Sequence, residues 1–427
     1  MRNTMLAIEG GAGVSSQGKY LGSIRSVTVL IAVAFAFYFG PVAVRLYQVI
    51  HLHDEERIVE NFLNMDRVFP VRTMSAPEET FEFKQSFFEL PETFSRDGKD
   101  YVTEDYLEYT QSTGMLVLRG DVNLYEKYWL GHREDGHHVS WSVAKSFVSA
   151  LVGIAVAEGK IKSIDEPITT YLPEFEGTGY DEVPIKDLLQ MSSGVRFNED
   201  YRDYESDINR FGRTIAFGTS MAKFAKSLSR EREPGSYHHY VSIDTQVLGM
   251  LIRQVTDESL AGYMQRKIWD PLQMEHDAKW LLDSTDMEIA IGGLNASMRD
   301  YARFGLMYLN GGSFGGQQIV PAQWVRDSTT PSAPHLLPGK DNPASSSSWG
   351  YGYQWWIPEP YEQDFTAAGI YSQYIYVNPK ARVVVVKTSA NRGYLAERQM
   401  SKDLHIAMFR AIAASVAAMP SETMAAR

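Results

Sequence analysis

The chain has 427 residues, of which 44% are hydrophobic and 22% are charged, the ordinary composition of a folded globular protein. Its formal net charge is -12 and it has no long run of Lys or Arg, so a nucleic-acid-binding function has no electrostatic support. The absence of cysteine excludes disulfides, thiolate zinc sites and cysteine nucleophiles.

The N-terminal part of the sequence contains one long apolar run. The residues between Arg25 and Arg45 are all uncharged, and their number is close to the roughly 20 that cross a bilayer as a helix. Basic residues precede the run, which favours a cytoplasmic N-terminus with the rest of the chain outside. A signal peptide cleaved after the Ala-Phe-Ala at 34–36 is the alternative. We therefore expect a short cytoplasmic tail over 1–25 and a single-pass inner-membrane anchor over 26–50, with the remaining chain on the periplasmic side.

The segments after the anchor predict one domain over 111–418. Residues 51–110 are polar, aromatic-rich and weakly periodic, which predicts a linker that wraps this domain. Apolar alternation on both sides of a Gly-Asp turn predicts a β-hairpin over 114–131. Helical periodicity follows, and strand-like runs return near the C-terminus. Strands at both ends of a helical middle indicate an α/β domain, with a helical lobe inserted over about 160–300. The predicted helices are 143–158, 185–191, 243–256, 259–268, 298–310 and 397–416, and the predicted late strands are 351–357, 372–378 and 382–388.

Ser142 and Lys145 form a Ser-x-x-Lys motif at the start of an apolar helical run. Residues three apart share one face of a helix, so the lysine amine can reach the serine hydroxyl. A neutral lysine can take the proton of a serine nucleophile, and burial lowers the pKa of the lysine. A capped amphipathic helix without chemistry is the alternative. The same spacing begins at Ser16 and Ser220, but those matches lie in a Gly/Ser-rich tail and in a basic stretch that favours a solvated helix face.

Tyr240 lies just before the predicted helix at 243–256. A phenol at this point can present its oxygen to a neighbouring cleft and pass a proton to a leaving group. The alternative is that the residues at 237–240 are ordinary packing and turn residues.

Six segments occur along the chain in the following order, which together indicate a family: SWSVAKSFVSALVGIAVAEG, IDEPITTYLPEF, LLQMSSGVRFNEDY, YVSIDTQVLG, GGLNASMRDYARFG and AAGIYSQYIYVNPK. Over about residues 60–415 the chain resembles the class C β-lactamase and penicillin-recognising serine hydrolases, particularly the 6-aminohexanoate-oligomer hydrolase and carboxylesterase branch. The resemblance implies a β-lactamase-like antiparallel sheet flanked by helices, with an inserted all-helical lobe. It also implies an acyl-enzyme on Ser142, with Lys145 and Tyr240 as proton-transfer partners and with neither metal nor cofactor.

The family's third motif, Lys-Thr-Gly or His-Thr-Gly, falls on Ala-Ala-Gly at 367–369. Gly369 is kept, and the resemblance implies that the N–H groups of Ile370 and Ser142 bind the oxyanion. The basic and hydroxyl side chains that bind a β-lactam carboxylate are absent from the motif. We therefore expect no charge-assisted partner for a carboxylate, which argues against β-lactamase activity.

The resemblance also suggests substrate-binding residues. Tyr201 matches a tyrosine that contacts the substrate amide in the aminohexanoate-hydrolase branch, and Ser242 stands where many members carry Asn. The acidic loop over 199–207 favours an amine end of a substrate, and the tryptophans at 349, 355 and 356 either line the cleft or pack in the core. The sequence thus predicts a membrane-anchored serine hydrolase of small esters or linear amides. The alternatives are a cell-wall peptidase or β-lactamase of the same fold, and an inactive protein that binds peptides or wall fragments.

Overall fold

The computed structural model describes residues 42–420, together with residues 29, 30, 33, 37 and 40. The predicted tail and 11 of the 25 residues of the predicted anchor at 26–50 therefore lie outside the described residues. Among the residues described, no helix has the length and apolar character needed to cross a membrane. A helix covers 42–50, and Val49 within it packs against the core of the domain. The end of the predicted anchor thus contacts the domain that follows it.

The strands and helices of the described chain are numbered here in chain order. The strands are β1 (Val71–Met74), β2 (Lys84–Gln85), β3 (Thr93–Arg96), β4 (Lys99–Val102), β5 (Ser112–Arg119), β6 (Val122–Tyr128), β7 (His138–Val139), β8 (Ala278–Leu281), β9 (Leu294–Ala296), β10 (Ser313–Phe314), β11 (Gln317–Gln318), β12 (Gly350–Tyr351), β13 (Trp356–Ile357), β14 (Phe365–Gly369), β15 (Gln373–Asn378) and β16 (Val383–Ser389). The α-helices after 42–50 are α1 (Ile58–Leu63), α2 (Thr103–Tyr109), α3 (Ala144–Ala157), α4 (Ile185–Leu189), α5 (Asp207–Ala216), α6 (Met221–Lys226), α7 (Ser242–Thr256), α8 (Leu260–Met264), α9 (Met298–Leu309), α10 (Ala322–Thr329) and α11 (Arg398–Ala417). Single 3₁₀ turns cover Met65–Arg67, Trp141–Val143, Ile168–Thr170, Pro173–Phe175 and Pro334–Leu336, and a π turn covers Gln265–Trp269.

The main sheet joins strands from the two ends of the domain. Its order is β12-β13-β14-β15-β16-β5-β6-β2, and β5 and β16 pair antiparallel near its centre with Leu116 opposite Val386. The predicted hairpin over 114–131 is confirmed as β5 and β6, and Gly120 in its turn has a φ of 58° that glycine adopts without strain. The predicted single strand over 351–357 is wrong. A tight turn with a left-handed Gln354 divides it into β12 and β13, which pair antiparallel.

Helices cover both faces of the main sheet, because successive side chains of its central strands point to opposite faces. Leu116 and Leu118 of β5 belong to the same core as α3 and α9. Met115 and Val117 belong to a second core that includes the apolar side of α11. Burial on both faces explains why β5 and β16 each contain four consecutive apolar residues, Met115–Leu118 and Val383–Val386.

The insertion between β6 and β12 contains a smaller sheet as well as helices. Its strand order is β1-β8-β9-β7. β1 comes from the segment at 51–110, and β2 of the same segment pairs with β6 of the main sheet. This segment is therefore part of both sheets instead of a simple linker. The active-site cleft described below lies between the main sheet and this insertion.

Candidate active site

Ser142 lies in the 3₁₀ turn Trp141–Val143, directly before α3. Trp141 has a φ of 45°, a left-handed conformation that is uncommon for a bulky residue. Two glycines allow other backbones to pack against this turn. A Cβ on Gly369 would lie 2.6 Å from the Ser140 carbonyl oxygen, and one on Gly292 would lie 3.1 Å from the Trp141 carbonyl carbon. The end of β14 and the loop before β9 thus hold Ser142 in place.

Lys145 is buried beneath Ser142, as the helical spacing predicts. Its Nζ donates hydrogen bonds to Ser142 Oγ at 3.1 Å and to the Ile291 carbonyl oxygen at 2.6 Å. Burial lowers the pKa of the Lys145 amine from 10.5 to about 7, although the nearby carboxyl groups of Glu199 and Asp244 oppose the shift. A large fraction of this amine is therefore neutral near pH 7 and can accept a proton.

Tyr240 lies beside the same pair. The Lys145 Nζ is 5.4 Å from the centroid of the Tyr240 ring, and this ring stacks on Trp356 with a centroid separation of 5.2 Å. Burial and the Glu199 charge raise the pKa of the Tyr240 phenol far above its ordinary value, while a hydrogen bond with Ser142 opposes the rise. The phenol is consequently protonated at neutral pH and suited to donate a proton.

Glu199 is a site residue that the sequence reasoning missed. Its carboxylate accepts hydrogen bonds from Tyr201 Oη at 3.0 Å, from Ser242 Oγ at 2.6 Å and from the Ser242 N–H at 3.2 Å. Two of the three predicted substrate-binding residues, Tyr201 and Ser242 but not Gly369, are thus brought together by one carboxylate. A signal was present in the sequence, because the apolar residues Val195 and Phe197 alternate with polar ones and Glu199 falls on the same period of two.

The other acidic residues of the loop at 199–207 do not face the cleft. Asp203 accepts a hydrogen bond from the Glu205 N–H at 2.9 Å, and Asp207 accepts one from the Asn198 N–H at 2.8 Å. Asp200 pairs with the neighbouring Arg202. Most of these carboxylates therefore stabilise the loop itself, and the preference of the loop for an amine end of a substrate stays a prediction.

Ser142 lies between two cavities of different character. The small pocket, about 20 Å³, is lined by Ser142, Tyr240, Trp356, Arg398 and Lys402 among others. The large cavity, about 670 Å³, runs from Ser142 between helix 42–50, α5 and the loop at 289–293. Ile370 lines both. Within residues 42–420, no backbone carbonyl accepts from the N–H of Ser142 or of Ile370, which leaves both donors available to a bound oxygen atom.

Two basic residues of α11, of which Arg398 is charged at neutral pH, correct the prediction that a carboxylate would find no charged partner. Arg398 and Lys402 both line the small pocket. Lys402 Nζ lies 4.1 Å from the centroid of the Trp356 ring, and burial lowers its pKa to about 7. The third motif lacks a basic side chain, but a helix about 30 residues further along supplies two. The sequence argument against β-lactamase activity therefore loses its basis.

The three tryptophans considered for the cleft wall have different positions. Trp356 lines the small pocket. Trp349 lies behind it, fully buried, with its ring centroid 4.2 Å from Lys402 Nζ. Trp355 is a core residue that stacks near Phe304. In the described part of the chain, no group of His, Asp and Glu side chains could hold a metal ion.

This arrangement agrees with the comparisons to known proteins. Residues 103–407 match the β-lactamase family, and the chain belongs to this family of serine hydrolases. The resemblance seen in the sequence is thereby confirmed, as is the β-lactamase-like α/β fold.

Individual relatives lie within the same family. A 6-aminohexanoate-dimer hydrolase from Paenarthrobacter ureafaciens is 29% identical over 294 residues, which cover 67% of this chain and 74% of the relative. A solved structure of a Bacillus anthracis protein, assigned as a 6-aminohexanoate-dimer hydrolase, superposes with a TM-score of 0.77 at 24% identity and covers 87% of this chain and 97% of its own. EstCE1, a hydrolase with promiscuous acyltransferase activity, superposes with a TM-score of 0.56 at 16% identity over 74% of this chain and 96% of its own.

Proposed function

We propose that this serine hydrolase cleaves esters or linear amides through an acyl-enzyme on Ser142. The hydrogen bond of 3.1 Å between Lys145 Nζ and Ser142 Oγ, made by a buried amine with a pKa of about 7, is the observation that carries the proposal. The name of the Paenarthrobacter relative describes hydrolysis of a linear amide by that protein, which supports such amides as one substrate class here.

In the proposed acylation step, neutral Lys145 removes the proton of Ser142 as Oγ attacks the substrate carbonyl carbon. The N–H groups of Ser142 and Ile370 stabilise the oxyanion. Breakdown of the tetrahedral intermediate breaks the bond to the leaving group, which takes a proton from Tyr240. The Lys145 ammonium then returns a proton to Tyr240. Water attacks the acyl-enzyme by the same groups and releases the acid.

The role of Ser142 is testable with a fluorophosphonate probe and p-nitrophenyl acetate. We expect labelling and hydrolysis in the natural protein and in Ser220→Ala, which removes the serine of the second Ser-x-x-Lys match. Ser142→Ala should lose both while keeping its circular dichroism spectrum. A natural protein that fails to label would support the alternative of an inactive binding protein. Labelling of Ser142→Ala at the natural rate would show that another residue is the nucleophile.

A peptidase that removes a C-terminal residue is the second candidate, and the cations in the small pocket favour it. Arg398 and Lys402 lie where a free carboxylate next to the scissile bond could bind. If this candidate is right, a short peptide should be cleaved at least about tenfold faster than its C-terminal amide, since the amide carries no charge. Equal rates for both would exclude it.

We also propose that the apolar run at 26–44 anchors the enzyme in the inner membrane, with the catalytic domain on the periplasmic side. The length of the run and the preceding basic residues support this proposal. Full-length protein should sediment with membranes and resist extraction by alkaline carbonate. Recovery in the soluble fraction with a new N-terminus after Ala36 would show cleavage instead.

A further inference from the structure

We propose that the large cavity binds the unbranched hydrocarbon chain of an ester substrate's acyl group, so that the enzyme prefers long-chain acyl esters. This inference rests on the proposed function, because it names the acyl group that Ser142 would receive. The cavity reaches Ser142 and Ile370 and has a volume of about 670 Å³, which is within the range of roughly 300–1,000 Å³ typical of small-ligand sites.

The lining of the large cavity suits a hydrocarbon. Helix 42–50 contributes Leu46 and Val49, and α5 contributes Ile208, Phe211 and Ile215. Among the described residues that line it, none is an aspartate or glutamate. A chain that ends in an ammonium group would therefore leave water without a counter-ion, which is costly, whereas each buried methylene is favourable. The cavity selects against an amine-terminated acyl group such as the 6-aminohexanoyl group.

The position of Tyr240 gives the direction in which the substrate lies. Tyr240 lines the small pocket but is not among the residues that line the large cavity. A leaving group that takes its proton from Tyr240 must lie on the side of the small pocket. The acyl group then extends from Ser142 in the other direction, into the large cavity.

The large cavity also has exposed apolar residues in its lining, next to the side chains of Arg202 and Arg213. Ile50, Tyr204 and Phe217 line it, and they are 65%, 69% and 54% exposed. Exposed apolar side chains grouped at one opening mark a contact with another apolar surface or with a ligand. An acyl chain can pass these residues from a lipid surface or from water, and the chemistry of recognition is the same for both.

Gly212 offers a direct test of the cavity. It lies within α5 and lines the large cavity, and a Cβ built on it meets no atom within 4 Å. Gly212→Leu therefore inserts a side chain into open space, and leucine is the better helix former. In the full-length protein, kcat/KM for p-nitrophenyl octanoate should exceed that for the butanoate by on the order of 10²-fold, about fourfold for each buried methylene. Gly212→Leu should reduce this ratio at least about tenfold.

Gly339→Leu is the matched control. A Cβ on Gly339 also meets no atom within 4 Å, its φ is not in the left-handed region, and it lies in the surface loop at 332–350. This variant should keep the natural ratio. A natural ratio near one, with butanoate still hydrolysed, would overturn the inference and leave the proposed function intact. An unchanged ratio in Gly212→Leu would also overturn it, and loss of hydrolysis with every ester would overturn both proposals.

A second comparison distinguishes the two sources of the acyl chain. The octanoate ester is supplied either dissolved in buffer or partitioned into phosphatidylcholine vesicles, and the natural protein is compared with Phe217→Ser. If Phe217→Ser loses more kcat/KM with the ester in vesicles than with the dissolved ester, the acyl chain enters from a lipid surface. If the loss of kcat/KM is equal for both, it enters from water. Both results support an acyl chain in the large cavity. No loss from either source would overturn the proposed entrance.

Discussion

Replacing Lys145 by methionine should slow hydrolysis by on the order of 10²- to 10⁴-fold and at the same time make the fold less sensitive to low pH. The folded-state pKa of Lys145, about 7, lies below its ordinary value of 10.5. Between these two values the unfolded chain binds a proton that the folded chain does not, so the free energy of unfolding rises with pH. At pH 7 this effect destabilises the natural protein by about 4 kcal/mol, and at pH 9.5 by only about 1 kcal/mol.

The Lys145→Met variant lacks this pH-dependent destabilisation. It also leaves the Ile291 carbonyl oxygen without the Lys145 donor, which costs about 1–3 kcal/mol whatever the pH. The informative quantity is therefore how the difference in free energy of unfolding between the two proteins changes with pH. From pH 7 to pH 9.5, the free energy of unfolding of Lys145→Met relative to the natural protein should fall by about 3 kcal/mol. This lowers its melting temperature relative to the natural protein by about 4 °C for roughly 380 ordered residues.

Differential scanning calorimetry of both proteins across this pH range makes the measurement, since all other titrating groups are common to both. Lys223→Met is the matched control, because Lys223 is the exposed lysine of the second Ser-x-x-Lys match. Its melting temperature should track the natural protein at every pH. A difference for Lys145→Met that stays constant, or that grows as the pH rises, would refute the reasoning that burial makes Lys145 a base.

Three further predictions concern the reaction. First, kcat/KM for p-nitrophenyl acetate should rise with pH through an apparent pKa near 7. Glu199→Gln should move this rise to lower pH, because the Glu199 charge favours the Lys145 ammonium. A rise that moves to higher pH would contradict this role of Glu199. Second, Tyr240→Phe and Lys145→Met should each cost on the order of 10²- to 10⁴-fold in rate, and the double variant should be little worse, whereas multiplicative losses would mean separate proton paths. Third, Arg398→Ala should reduce the ratio of kcat/KM for a penicillin to that for p-nitrophenyl butanoate by about 10- to 150-fold. This is the effect of losing one charge-assisted hydrogen bond. An unchanged ratio would show that Arg398 does not bind the carboxylate.

Local patterns in the sequence were sufficient to predict the contact between Ser142 and Lys145 and the centre of the fold. Ser142 and Lys145 are three residues apart on one helix, so their contact depends on helix geometry alone. The strands β5 and β16 each contain four consecutive apolar residues, and their burial follows from that composition.

The residues that the sequence reasoning missed reach the cleft from distant elements. Arg398 and Lys402 come from the first turns of α11, and nothing in the third motif indicates that this helix begins beside it. Glu199 lies among exposed acidic residues, and the alternating burial of the segment before it is the feature that separates it from them. The large cavity could not be predicted at all, because its walls come from helix 42–50, α5 and the loop at 289–293.

The pairing of β5 with β16 has a consequence for how the enzyme is made. The ribosome completes the nucleophile helix α3 long before it adds β14, which leads to Ile370, and β16, which closes the sheet. Until then the apolar β5 lacks its central partner, and Ser142 lacks the backbone of Gly369 against its turn. We expect nascent chains and truncated products that end before β16 to be inert and to depend on chaperones, because contacts across so long a sequence separation form late. Hydrolytic activity appears only when synthesis has reached the last strand, so the cell cannot release a partly built and already active hydrolase.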